Sequence, residues 1–304
     1  MTASTLNTYW YLLRRFRNGF SLIQNLRHGG YESCGPISER LVLRDGRTIV
    51  HPANRGGLVP VMLEMWRENV YRLGEFYQPK AGEVVVDVGA HIGLFTLQVL
   101  WEEPRCRVVG LEPSAENFAC LKQNLVLAGV GAQVEIHQLG IGGEFGRIKM
   151  LEIPTNRSVD ARVTPALETE PGTVGVVPLR HLFELAKSNE IALLKMDAEG
   201  GEYGAFGNAE PELFERIERI VMEYHDNYVP GTLAMLQEKL SATHDLTVFP
   251  DAGQLHGRLF AVRKDACKYS KQPLPADRAS TAKPSCDTSS QARGEAPVGA
   301  LFGR

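Results

Sequence analysis

No apolar run in these 304 residues reaches the roughly 18 positions that suggest a membrane span. The opening stretch does not read as a secretion signal, because Arg14, Arg15 and Arg17 interrupt its apolar positions and no clean small-residue cleavage site follows. Cysteine is sparse. Cys34, Cys106, Cys120, Cys267 and Cys286 are scattered, odd in number and form no CxxC pair. That excludes a zinc ribbon or disulfide scaffold and points to a reducing compartment, with the cytoplasm as the expected location. Positive charge is not in excess: 33 Lys and Arg face 36 Asp and Glu, a formal net charge of -3. Nucleic acid held through bulk charge is therefore not an expected partner. The GxGxxG of dinucleotide-binding turns is missing as well.

What is present is an ordinary core-forming composition, 43% hydrophobic and 23% charged, enough for one large domain with extensions. Three parts are expected: a cover region over 1–78, a ligand-binding domain over 79–265 and a disordered tail over 266–304. In the cover region, Trp10, Leu13, Phe16, Phe20 and Ile23 recur at helical spacing and predict one amphipathic helix from about Leu6 to Leu26. That helix packs on the domain or on a second copy, so a homodimer through it is an expectation; a membrane surface or an apolar substrate is the other reading. Residues 39–52 predict a hairpin turning at Asp45-Gly46, and 59–76 a second helix. From Glu83 the pattern alternates between strand and helix, as βαβ units require. Residues 133–140 read as the third strand of this series. The polar stretch 151–173 is long for a connector and reads as a lid or substrate loop. Residues 245–250 and 257–263 close the domain as an antiparallel pair. The tail is rich in Pro, Ala, Ser and Lys, without periodicity.

Three motifs carry chemistry. In the first, an apolar strand runs through Val86-Asp87-Val88 into the turn Gly89-Ala90-His91-Ile92-Gly93 and then a helix. The glycines admit a ligand close to the backbone, beyond the carboxyl end of the strand. An acid before this turn suits a ligand that has a positively charged methionyl end and no pyrophosphate, as S-adenosylmethionine (SAM) has. The second motif, Val108-Val109-Gly110-Leu111-Glu112-Pro113, ends the next strand with an acid that can accept both hydrogen bonds of a ribose diol. By itself it is also a common helix-cap neighbourhood and does not separate SAM from NAD. The third, Leu194-Lys195-Met196-Asp197-Ala198-Glu199-Gly200-Gly201-Glu202, puts acids at the mouth of a central strand, where they could also cap the next helix.

Together these motifs, followed by Ile220-Val221-Met222-Glu223-Tyr224-His225, resemble the FkbM family of SAM-dependent methyltransferases over roughly Arg40 to Arg263. The resemblance implies a class I methyltransferase fold: Rossmann-like, doubly wound, with a mostly parallel seven-stranded sheet, here preceded by a helical and hairpin extension. It also implies roles. Asp87, Gly89, Ala90, His91 and Gly93 would meet the methionyl end of SAM, Glu112 and Pro113 the ribose, and Gln138 and Gly140 the adenine border. Asp197 and Glu199 would lie near the methyl transfer point. Members act mainly on oxygen in sugars, glycolipids and polyketide-like metabolites, so the expected partner is a small hydroxylated molecule. His91 stands where the family commonly has Asn, and either side chain can donate a hydrogen bond.

An alcohol acceptor needs a base as its oxygen becomes nucleophilic. His225, which titrates near neutral pH, and Asp197 are the candidates, with Glu199 binding or orienting. A histidine on a surface loop is the plain alternative. Lys195, Glu223 and Tyr228 would shape the acceptor pocket. No metal is expected, although Asp197, Glu199, Glu223 and His225 could hold magnesium if they converge. Competing readings remain: methylation of nitrogen or a carboxylate on a metabolite or peptide, an NAD-dependent oxidoreductase, and a non-catalytic interaction protein on a SAM-binding fold. The Asn/Asp-Pro-Pro-Tyr run of base amino-group methylases is absent after the central strand.

Overall fold

The computed structural model describes residues 3–27, 40–52, 58–151, 162–165, 172–251, 253 and 255–266. The expected disordered tail lies outside these residues from Cys267 on, as does most of the expected lid.

The expected single N-terminal helix is two, α1 (Ala3–Arg15) and α2 (Gly19–Arg27). The break is made by tertiary bonds. Asn18 Nδ2 donates to the Arg40 carbonyl at 2.7 Å, and its Oδ1 accepts from Val42 N at 3.1 Å. Arg17 N donates to the Val42 carbonyl at 2.7 Å. These bonds draw the chain onto the hairpin β1 (Arg40–Val42) and β2 (Thr48–Val50), which pair antiparallel as expected. The buried stripe also differs from the expected one: Leu12, Phe16, Leu22 and Ile23 are buried, whereas Leu6, Trp10, Leu13 and Phe20 are exposed.

Next, α3 (Leu58–Met62) runs into a π-helical turn over Leu63–Glu68. The helix predicted over 59–76 stops there because Asn69 adopts φ 51° and its side chain bonds both backbone groups of Leu73, at 2.9 and 3.0 Å. That loop carries Tyr71 inward.

The nucleotide fold then follows. Its elements are β3 (Val84–Val88), α4 (Leu94–Glu102), β4 (Arg107–Leu111), α5 (Ala115–Leu127), β5 (Val134–His137), β6 (Leu139–Gly142), β7 (Gly146–Leu151), β8 (Arg162–Pro165) and β9 (Thr173–Pro178). The chain continues through α6 (His181–Ala186), β10 (Ile191–Met196), α7 (Gly201–Gly207), α8 (Pro211–Phe214), β11 (Ile217–His225), α9 (Thr232–Leu240), β12 (His244–Pro250) and β13 (His256–Arg263). Seven strands form one sheet in the order β5-β4-β3-β10-β11-β13-β12, in which only β13 runs antiparallel to the rest. The expected doubly wound, mostly parallel sheet is therefore present.

The strand predicted over 133–140 is divided. Gln138 separates β5, in the main sheet, from β6, which joins a second sheet of order β6-β9-β7-β8. Periodicity cannot reveal a change of sheet, because both halves remain extended and half-buried.

All five residues of β3 are buried, as a strand covered on both faces requires. Val84, Val86 and Val88 pack with Leu182, Phe206 and Leu236 on one side. Val85 packs on the other with Tyr71, Phe95 and Val99. Alternation therefore turns Asp87 toward the second face.

Candidate active site

The carboxyl ends of β3, β4, β10 and β11 meet where the order of connection reverses, between β3 and β10. Open α/β sheets bind ligands at such a point. Asp87 and Lys195 are register partners on adjacent strands. Both are buried, and Lys195 Nζ stands 3.1 Å from Asp87 Oδ1. Thr96 donates to Asp87 Oδ2 at 2.7 Å, and Lys195 also donates to the Gly89 carbonyl at 2.8 Å. Burial by itself would lower the Lys195 pKa, but the charges of Asp87 and Asp197 outweigh it and hold the ammonium above its ordinary value. Asp87 and Lys195 thus clamp the two strand ends under the glycine turn.

That turn is tight for a definite reason. Gly89 has φ 72°, and a Cβ there would lie 1.9 Å from the Asp197 carbonyl oxygen. Gly93, at φ 90°, sits against Leu121. Ala90 is buried and its N–H donates to the Leu111 carbonyl at 2.9 Å. His91 adopts φ 52°, a left-handed conformation that His and Asn enter more readily than most residues. The Asn-to-His departure noted in the sequence is therefore compatible with the backbone. Burial holds the His91 imidazole down at about 4.

Glu112 follows β4 and ties the two turns together. It accepts from His91 N at 2.7 Å, from Ser114 N at 2.9 Å and from Asn117 Nδ2 at 3.4 Å. Burial raises its pKa to about 7 despite those donors. Additional donors, such as ribose hydroxyls, would stabilise its charged form. Pro113 is half-buried beside it, and Gln138 lies exposed past the end of β5. Gly140 is packed instead into the second sheet, where a Cβ would lie 2.9 Å from Ile148 Cδ1. A glycine turn that admits a backbone at close range, beside an acid within reach of a ribose, fits SAM.

The third motif and the end of β11 meet beside this turn. His225 is buried, with Nδ1 3.1 Å from Glu202 Oε1. Its Nε2 stands 3.5 Å from Glu199 Oε2, 3.9 Å from Glu223 Oε2 and 4.0 Å from Asp197 Oδ1. Tyr228 stacks on the imidazole, with ring centroids 5.4 Å apart. Burial alone would lower the His225 pKa, but the hydrogen bond and charge of Glu202, with the charges of Asp197 and Glu199, push it up to about 10. The carboxylates around the imidazole expected to accept a proton therefore favour its protonated form.

Two further residues stand in the candidate site, Tyr71 and Glu202, neither of which is given a role there by the sequence. Tyr71, from the cover region, donates to Asp197 Oδ2 at 3.3 Å and lies under Lys195, whose Nζ is 5.3 Å from the ring centroid. Nothing local in the sequence marks it. Glu202 is fully buried and accepts from Ala198 N at 2.8 Å and Gly200 N at 2.9 Å. The sequence reading offered Glu202 as a helix cap; it both closes this turn and turns His225. Glu199, at φ 49°, is a second left-handed non-glycine residue at the mouth of the site.

This sheet order, with an acid-led glycine turn and a second acid after the neighbouring strand, defines a class I SAM-dependent methyltransferase. Residues 87–244 match the methyltransferase FkbM domain, and the chain belongs to that family. It is similar to the 31-O-demethyl-FK506 methyltransferase FkbM of Streptomyces tacrolimicus, at 28% identity over 72% of this chain and 93% of that protein. It is also similar to methyltransferase 1 of Beauveria bassiana, at 26% identity over 63% of this chain and 83% of the relative. Methyltransferase sdnD of Sordaria araneosa is 25% identical over 51% of this chain and 72% of its own length. Among the described residues no helix is long and apolar enough to cross a membrane.

Proposed function

We propose that this methyltransferase acts on a hydroxyl oxygen of a small molecule, a sugar or secondary metabolite. The carrying observation is the convergence of Asp197, Glu199, Glu223 and His225 beside the cofactor turn. Such a cluster can orient an alcohol and receive its proton. The name of the Streptomyces relative, a 31-O-demethyl-FK506 methyltransferase, describes methylation at an oxygen, and that supports the reading.

In this reading Gly89, Ala90, His91 and Gly93 form the floor under the methionyl end, and Glu112 receives the ribose hydroxyls. Bound SAM supplies an activated methyl group, so the protein's remaining tasks are alignment, exclusion of water and removal of one proton. Asp197 and Glu199 are the carboxylates beside His225 that can take that proton. A positive charge held at His225 Nε2 balances the negative charge growing on the acceptor oxygen. Lys195, held by Asp87 and backbone carbonyls, acts on the site by fixing the strand ends, and Tyr228 walls the pocket beside His225.

The test is transfer of isotopically labelled methyl from SAM to a panel of hydroxylated sugars and polyketide-like metabolites, beside matched amines and carboxylic acids. Label in an ether linkage is the expected result. Label only on nitrogen or carboxylate would overturn the hydroxyl assignment.

A further inference from the structure

Three carboxylates crowd the Nε2 of His225 at ion-pair distances. Among the described residues no hydrogen bond to its Nε2 is formed; its carboxylate neighbours stand at 3.5, 3.9 and 4.0 Å. Ligand atoms held about 2.1–2.4 Å from one metal centre stand roughly 3–3.4 Å apart when adjacent and up to about 4.8 Å when opposite. One ligand atom each from Asp197, Glu223 and His225 all lie within 4.8 Å of one another.

Two further observations point to an occupant. Asp197 Oδ1 is buried and has no hydrogen-bond partner, while its Oδ2 receives Tyr71. An unsatisfied buried oxygen is costly unless something else binds it. The His225 side chain is 6% exposed and its Nε2 lies 4.0 Å from that oxygen, although the Asp197 side chain as a whole is 28% exposed. Its other nitrogen is engaged by Glu202, a carboxylate with no exposed surface. A histidine whose second nitrogen is held by a carboxylate is the usual arrangement behind a metal ligand. Within this small volume four carboxylates face one imidazole.

We propose that Asp197 Oδ1, Glu223 and His225 Nε2 bind a divalent cation of the magnesium or manganese class, with Glu202 as the positioning residue for His225. The hard oxygen donors select such an ion over softer metals. The cation takes the place of any proton on Nε2, which passes to solvent. Its open positions hold water until the acceptor hydroxyl replaces one. Coordination then acidifies the hydroxyl, and Glu199, outside the ligand set, takes the proton. The last two steps rest on the hydroxyl-acceptor reading; the binding site does not.

Binding is therefore tested without acceptor. Full-length protein, freed of metal with a chelator, is titrated with manganese(II), and the loss of the free-ion electron paramagnetic resonance signal is followed. One saturable site is expected, displaced by magnesium. Glu223→Gln and His225→Ala should each abolish it. Glu202→Gln should weaken it by about tenfold to a hundredfold. Circular dichroism and SAM calorimetry on each variant show whether it is folded, and Glu212→Gln, an exposed carboxylate on α8 at the opposite end of β11, serves as a control that keeps full binding. Absence of a saturable site in folded wild type to millimolar manganese would overturn the proposal. So would manganese binding that survives in both Glu223→Gln and His225→Ala. Loss of SAM affinity in those variants with no manganese bound by wild type would assign the cluster to the methionyl end instead. Cation binding with label transferred only to nitrogen would retain the site and remove the hydroxyl reading.

Discussion

At the scale of single residues, the site is governed by charges placed where water is scarce. Lys195 and Asp87 are the clearest pair, buried side by side on neighbouring strands. Removing one partner leaves the other as an uncompensated buried charge, which costs about 3–5 kcal/mol. Lys195→Met should therefore lower the urea midpoint by that equivalent, with SAM affinity falling as the turn above loosens. An unchanged midpoint would show that the ammonium does not stabilise the strand ends. Glu112 offers a pH-dependent counterpart. Burial raises its pKa in the folded protein to about 7, above its ordinary value of 4.5. For stability the sign is definite: the raised pKa favours folding most below about 4.5, and this contribution is lost as pH rises through about 7. For ligand binding the sign is opposite in the proposed mode, in which ribose hydroxyls would donate to the ionised form. SAM affinity measured by calorimetry should rise as pH increases through about 7 and then level off. In Glu112→Gln the profile should be flat and the affinity lower throughout.

At the scale of elements, Asn124 on α5 connects the extension to the cofactor turn. It is fully buried, accepts from Val50 N at 2.7 Å, and donates to the carbonyls of Val50 at 2.9 Å and Ile92 at 2.8 Å. One side chain thus ends the hairpin strand and holds the loop that carries His91. Asn124→Ala leaves buried backbone groups unsatisfied and should cost about 2–3 kcal/mol in chemical denaturation. SAM affinity should fall in the same variant, since the loop and hairpin are fastened by the same amide. A variant that loses stability but keeps full SAM affinity would separate the two elements. The N-terminal helices show the opposite case, in which local pattern misleads. Five apolar positions at helical spacing predict a single stripe, yet the bonds of Arg17 and Asn18 to the hairpin break the helix and change the buried face. Trp10 and Phe20, expected inward, remain exposed.

At the scale of the whole molecule, the sheet was legible because its strands are short apolar runs closed by charged or glycine residues, each followed by a helical pattern. The catalytic face was partly legible too. In Lys195-Met196-Asp197 and Glu223-Tyr224-His225, polar residues alternate with core residues, so period two places the polar ones together on one side of the sheet. What sequence by itself determined, then, was the order of strands and helices, the glycine turn, the acid after β4 and the family. These depend on neighbours within a few residues, through backbone geometry and alternation. Tertiary structure alone decided the rest: the split of one strand between two sheets, Tyr71 brought to Asp197 from 126 positions away, and the proton held on His225 by Glu202. Each depends on burial and on the distance between groups far apart in the chain. A histidine's charge is set by the carboxylates that folding gathers around it and by the water that folding removes.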